Sequence, residues 1–403
     1  MPSSTSSSED RPQPGQGPYA HRGPLAPGLR LTASDRPGIA QPVPERDVPP
    51  LPWAKMMPVV LLLVVALSCA WEWRMQRVGY EVGDLGDDPS AWAEQRRGLE
   101  SDAAKVAIIG DSRILFDTNL DRFEQLTGVR PLQLAIAGSS ARPVLEDIAE
   151  RSTFAGLVIV GIADQSYFRD TAGVAKADLK RSRFESPSQR ISFLIERFLR
   201  RHTAMLDDDA RLSSWIVRTD PDWRPAVRGP YDDVWKVGSY YDDRQTKMWA
   251  EMPRNAYLRG HTVAAWMGNF SRMKPTPEII AKTAARTKVA VARIRVRGGD
   301  VVFVRPPSED PLHALEEKRL PRATGWDMLL RVADVKGVHF LDLPAAQGLT
   351  MPEKSHLDRE CAVVFTDAYV RALALLTPRL QLMSGAPGPL HANDCVHPAP
   401  RQP

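Results

Sequence analysis

The chain has 403 residues, and 53 Lys and Arg against 49 Asp and Glu leave a formal net charge of only +4. Charges of both signs are interspersed, which excludes a basic stripe for nucleic acid, and the length suits one α/β domain with a large insertion. Three cysteines allow at most a Cys361–Cys395 bridge in an oxidising compartment, and no Cys/His spacing suits zinc, so neither metal nor cofactor is expected.

Residues 1–52 are rich in Pro, Ser and Gly and lack apolar periodicity. Such a stretch buries too little to offset the entropy of ordering, which predicts a disordered N-terminal tail. From Met56 to Trp71 the chain is apolar on all sides, flanked by Lys55 before and by Arg74 and Arg77 after. A helix over 53–73 is roughly 30 Å long and carries tryptophans at both ends, which predicts one transmembrane helix. The long stretch before it argues against a cleaved signal peptide, and Ala66 stands where a lipoprotein site has a large aliphatic residue, so Cys69 is not expected to be acylated. The flanking basic residues balance, so charge does not orient the helix.

The folded part is expected over 80–383, with a flexible C-terminal tail over 384–403. Lys105 to Gly110 reads as a short buried strand, Phe116 to Leu126 as a helix, Pro131 to Ala135 as a second strand, Arg142 to Ala149 as a helix and Gly156 to Gly161 as a third strand. Strand and helix alternating with short joints predict right-handed crossovers and a parallel sheet covered on both faces, a three-layer α/β fold. From about 167 to 286 the rhythm fails, and helical segments with Trp235, Tyr240, Tyr241, Trp249 and Trp266 predict an inserted helical cap. Beyond it lie an amphipathic helix from Pro277 to Ile294, a fourth strand from Asp300 to Val304, a helix from Trp326 to Val335, a fifth strand from Gly337 to Leu341 and a last helix from Asp358 to Leu376.

In open parallel sheets functional loops lie at the carboxyl ends of strands, which is where Gly110-Asp111-Ser112 falls. A serine at a helix start is served by unpaired backbone N–H groups that can hold an oxyanion, although an isolated Gly-Asp-Ser is also an ordinary helix cap. Glu353-Lys-Ser-His356, in a polar turn before the last helix, supplies an imidazole and a carboxylate to orient it. Ser112, His356 and Glu353 thus form a complete nucleophile, base and orienting set. The phosphate-cradling Gly-x-Gly-x-x-Gly and Gly-Lys-Ser/Thr elements are absent after the first strand, which argues against a nucleotide-binding domain.

In this order the motifs resemble the GDSL/SGNH hydrolase family: Gly110-Asp111-Ser112, then Gly138, then Gly161-Ile162-Ala163-Asp164, and finally Glu353-Lys-Ser-His356. The resemblance covers Lys105 to Leu376 apart from the cap. It implies an SGNH-hydrolase-like domain, with Ser112 as nucleophile, His356 as base, and the backbone N–H groups of Ser112 and Gly138 as the oxyanion hole. Two departures stand out. Glu353 replaces an Asp, and Ala163 occupies the position of the family's oxyanion Asn, for which Gln165, Ser166 or Asn269 are the candidate substitutes.

Arg305-Pro-Pro and Ser355-His356-Leu357 further resemble membrane-tethered bacterial relatives that assist O-acetylation of extracellular polysaccharide. That resemblance implies a single-pass inner-membrane protein with its domain in the periplasm, acting as esterase or O-acyltransferase on polysaccharide. The competing expectation is a catalytically weakened scaffold that binds polysaccharide or a membrane acyltransferase partner.

Overall fold

The structure is a computed structural model that describes residues 51–169, 175–211, 213–214, 236–273 and 275–395, plus the backbone of Leu29–Leu31 and Pro42–Pro44. It divides into two units, Met1–Ser68 and Cys69–Pro403. In the first, Leu29–Leu31 and Pro42–Pro44 pair antiparallel. The rest of the stretch read as a disordered tail lies outside the described residues, as do Trp235 and residues 396–403. Helix α1 (Trp53–Val78) extends five residues past the expected end and is long and apolar enough to cross a membrane. Leu61, Leu62, Leu63 and Leu67 are all exposed, as lipid-facing residues are.

The apolar runs of the second unit fold as strands β1 (Val106–Ile109), β2 (Leu132–Gln133), β3 (Leu157–Gly161), β4 (Gly238–Tyr240), β5 (Thr246–Met248), β6 (Asp300–Arg305) and β7 (Lys336–His339). β4 and β5 form an antiparallel hairpin, and the other five make one parallel sheet in the order β2-β1-β3-β6-β7. Alternation along each run decides which face a side chain joins. Ala107, Ile109, Val158, Val160, Val301 and Phe303 join one core with residues of helices α2 (Pro89–Gly98), α5 (Arg142–Arg151), α10 (Pro277–Val296) and α12 (Trp326–Ala333). Val106, Ile108, Leu157, Ile159, Val302 and Val304 join a second core with α3 (Ser112–Phe116), α4 (Leu120–Thr127) and α13 (Arg359–Leu376). The result is a mixed α/β domain with helices on both faces of a parallel sheet.

Several boundaries in this unit differ from the sequence expectation. The helix expected over Phe116 to Leu126 is broken at Asp117, where α3 ends, and Asn119 caps α4 by accepting the Arg122 amide at 2.7 Å. α2 was not anticipated; Asp88 accepts the Ala91 amide at 3.1 Å, Pro89 opens the helix, and Trp92 donates to the Leu134 carbonyl at 2.9 Å. The insertion ends before Pro277 and not at 286, because α10 packs on α5 and α12 and is the crossover from β3 back to β6. It contains α6 (Asp164–Tyr167), α7 (Ala175–Arg183), α8 (Pro187–Arg200), the β4–β5 hairpin and α9 (Ala256–Arg272).

Finally, residues 384–395, expected to be a flexible tail, lie against the domain: Ala386, Leu390 and Ala392 pack on the second core, and Leu390 donates to Asp367 at 3.0 Å. The Cys361–Cys395 disulfide closes this segment onto α13.

The end of α1 belongs to the second unit and is fixed to the insertion. Glu72 accepts the backbone amides of Ala204 and Met205 at 2.9 and 2.8 Å, and Met75 is buried with Tyr80, Ala204 and Ala210.

Candidate active site

β1 and β3 approach closely at their carboxyl ends. A Cβ on Gly110 would lie 2.6 Å from the Gly161 carbonyl oxygen, so only glycine fits there. Asp111 then caps α3: one carboxylate oxygen accepts the Arg113 amide at 3.1 Å, the other the Ala163 amide at 2.8 Å and the Ser166 hydroxyl at 2.6 Å. Asp111 therefore ties the turn after β1 to the turn after β3. Ser112, the first residue of α3, is half-buried and lines a cavity of about 700 Å³.

His356 reaches the same cavity from the turn before α13. Its Nδ1 lies 2.8 Å from Glu353 Oε1, and its backbone amide donates to the same oxygen at 2.6 Å. Glu353 is fully buried (0 % exposed), and its second oxygen accepts the indole N–H of Trp266 from α9. The imidazole is packed between Phe116, with ring centroids 4.6 Å apart, and the edge-on ring of Trp266. With Nδ1 held by a carboxylate, the tautomer is set with Nε2 as the acceptor. Nε2 is buried and has no hydrogen-bond partner among the described residues, so the Ser112 hydroxyl does not donate to it in this state. In unliganded active sites such bonds are often long and tighten only with substrate.

Asp117, the residue that ends α3, accepts the Leu357 amide through Oδ1 at 2.9 Å, and its Oδ2 has no partner among the described residues. Burial, reinforced by the Glu353 and Asp111 carboxylates, holds Asp117 well above the usual carboxylate range despite the Leu357 amide and Arg113.

Behind Ser112, Arg113 is almost wholly buried and pairs with Glu316 of α11 (Leu312–Arg319), while its Nε donates to Ser355 Oγ at 3.3 Å. Arg305, the last residue of β6, donates to the same Glu316 at 2.8 Å, and Ser308 adds a hydroxyl at 2.8 Å. Burial alone would raise Glu316, but the two guanidiniums and Ser308 outweigh it and hold the carboxyl at about 2. This network links the serine turn, the β6 end and the histidine turn. None of the three charged residues was anticipated as part of the site, although Arg113 and Arg305 each follow a buried strand closely, where such residues belong.

Gly138 lines the cavity with φ +69°, a left-handed conformation that glycine adopts without strain. The backbone amides of Ser112 and Gly138 donate to no other described group. Ala163 also lines the cavity, but its amide is taken by Asp111. Of the three candidate substitutes for an oxyanion Asn, Gln165 turns to the Glu316 carbonyl (3.4 Å) and is not among the cavity residues. Ser166 lines the cavity with its hydroxyl given to Asp111, and Asn269 lines it from α9 with its carbonyl oxygen accepting from Arg272. Among the cap aromatics, Tyr240 and Trp266 line the cavity, whereas Trp249 donates to the Gly79 carbonyl at 2.8 Å and Tyr241 to Glu81.

The far wall carries Asp87, Asp207, Asp208 and Asp209, with Lys236 clamped between Asp84 and Asp207. Although burial alone would lower it, the two carboxylates keep Lys236 above the usual lysine range. Among the described residues no group of acidic, His and Cys side chains suits a metal ion. The sequence matches no family model and no curated protein.

Proposed function

We propose that this chain is a single-pass protein of the bacterial inner membrane whose periplasmic domain is a GDSL/SGNH-type serine esterase or O-acyltransferase acting on acyl esters or sugar hydroxyls of cell-envelope polysaccharide. The observation that carries this reading is that Ser112 and His356 line one cavity, with His356 oriented by a buried Glu353. The Cys361–Cys395 disulfide supports the outward placement, because such bonds persist in oxidising compartments. The polysaccharide assignment rests on the motif resemblance.

In this mechanism His356 Nε2 takes the Ser112 proton as Oγ attacks the ester carbonyl, and the oxyanion is held by the Ser112 and Gly138 amides. The imidazolium then protonates the departing alkoxide, leaving an acyl-Ser112. Water or a sugar hydroxyl gives its proton to His356, attacks the acyl carbon and returns Ser112 with its hydroxyl. The chemistry requires no cofactor.

A fluorophosphonate probe tests the reading. The wild-type chain is expected to be labelled and Ser112→Ala not; an unlabelled wild type sinks it. Ala163 favours a second reading, a scaffold without turnover that binds polysaccharide or a membrane acyltransferase partner, because the hydrogen bonds of Gln165 and Ser166 turn their donors to the protein and leave Asn269 of α9 as the remaining candidate in the cavity. The two readings part on Ala163→Asn. If turnover is limited by the missing donor, this variant hydrolyses a small activated ester faster by about tenfold or more, each ~1.4 kcal/mol of transition-state stabilisation being one factor of ten. The gain disappears in Ala163→Asn/Ser112→Ala, and absence of turnover in every form leaves the scaffold reading.

A further inference from the structure

Helix α8 is amphipathic in the wrong sense for a protein in water. Ile191, Leu194, Ile195 and Phe198, spaced as one helical stripe, are exposed at 58, 52, 56 and 61 %, and Phe184 just before the helix at 74 %. The charged residues occupy the inner side: Arg197 pairs with Glu94 and Asp242, and Arg200, buried, pairs with Glu196 and Asp208. A stripe of this size facing outward marks contact with something apolar.

The position of α8 says what that is. Four residues after its last residue, Ala204 and Met205 donate to Glu72, between Trp71 and Trp73 of α1. Tryptophans at the end of an apolar span lie at the membrane–water interface. Four residues of chain reach at most about 14 Å, so α8 ends within that distance of the interfacial turn of α1. Arg190, exposed on α8 one residue before Ile191, borders the stripe with a charge that suits anionic lipid headgroups.

We infer that α8 is an interfacial helix that lies in the surface of the same bilayer α1 crosses, with Ile191, Leu194, Ile195 and Phe198 set into the headgroup–acyl boundary. The insertion is then a second membrane contact. It holds the cavity at the membrane surface, since Asp207, Asp208 and Asp209, which line the cavity, follow α8 within nine residues. This inference does not depend on the chemistry assigned to Ser112.

The full chain in phosphatidylethanolamine–phosphatidylglycerol vesicles tests it. With Cys69→Ser as background, a bimane label is placed at Ile195→Cys, at Phe198→Cys and, as a control, at Lys288→Cys, an exposed position on α10. These side chains are exposed, so the fold is expected to survive, and circular dichroism checks it. The expected result is quenching at 195 and 198 by nitroxide-bearing lipid, about two-fold or more, with protection from aqueous iodide, and the reverse at 288. α8 labels that iodide quenches as at 288 overturn the inference. Labels shielded from both quenchers also overturn it, since the stripe is then covered by a second copy or another protein.

Discussion

Under the proposed mechanism Ser112→Ala and His356→Ala are each expected to lower kcat/KM by about four to six orders of magnitude, with the double variant no worse than either single one, because nucleophile and base would act as a unit. In the proposed mechanism Glu353 works through His356. Its carboxylate accepts both the Nδ1 proton and the backbone amide of His356, so it fixes the ring's tautomer and the turn together. Glu353→Gln removes the charge but keeps the shape, and the expected loss is about a thousandfold to ten-thousandfold, leaving activity above that of Ser112→Ala. Steady-state kinetics on an activated ester check the series. Wild-type turnover in Ser112→Ala would remove that residue from the chemistry.

The largest effect on stability is expected at Glu316. Its carboxylate is the shared counter-ion of two buried arginines, Arg113 and Arg305. Glu316→Ala strands both guanidiniums in the interior, and breaking a buried pair from one side costs about 3–5 kcal/mol. In a domain of this size that lowers Tm by roughly 10 °C. The same group predicts a pH dependence. Its folded pKa of about 2 lies below the ordinary 4.5, so the stability it contributes is complete above 4.5 and is lost as pH falls through about 2. Glu316→Gln should flatten the acid limb of the stability–pH curve across that interval, as measured by thermal melts. An unchanged limb would mean that the arginines do not hold this carboxylate charged.

The strands were legible because each is a short uninterrupted apolar run, and only a strand buried on both faces needs such a run. Val106–Ile109, Leu157–Gly161 and Asp300–Arg305 fall within a residue or two of expectation. β2 was overcalled at Pro131 to Ala135 because Leu134, Ala135 and Ile136 are buried in the turn beyond the strand and carry the same apolar signal. α2 went unseen because its apolar side is little more than Trp92 and Ala93, although Asp88-Pro89-Ser90 is a usable start signal.

At the site, Ser112, Gly138, His356 and Glu353 stand in local motifs and could be read. The Trp266 bond to Glu353 spans 87 positions and the Arg113–Glu316 pair 203, and one sequence carries no signal for such pairings. For the same reason the placement of Gln165 away from the cavity required the structure.

In the proposed membrane-anchored enzyme, the bonds from Ala204 and Met205 to Glu72 change how the cavity would meet its substrate. A domain on a loose linker of n residues wanders over roughly 5–6 Å × √n, and its site samples a deep volume of solution. If α1 spans the membrane as proposed, these bonds leave no free linker between the end of α1 and the insertion, and the site stays near the membrane and sweeps a thin layer by lateral diffusion of its anchor. Encounter then becomes a search in two dimensions for substrates that are themselves attached to, or emerging from, the membrane. Their effective concentration is set by the thickness of that layer and not by the bulk. Soluble polymer in free solution would be met at a disadvantage that no change in the Ser112 chemistry could remove.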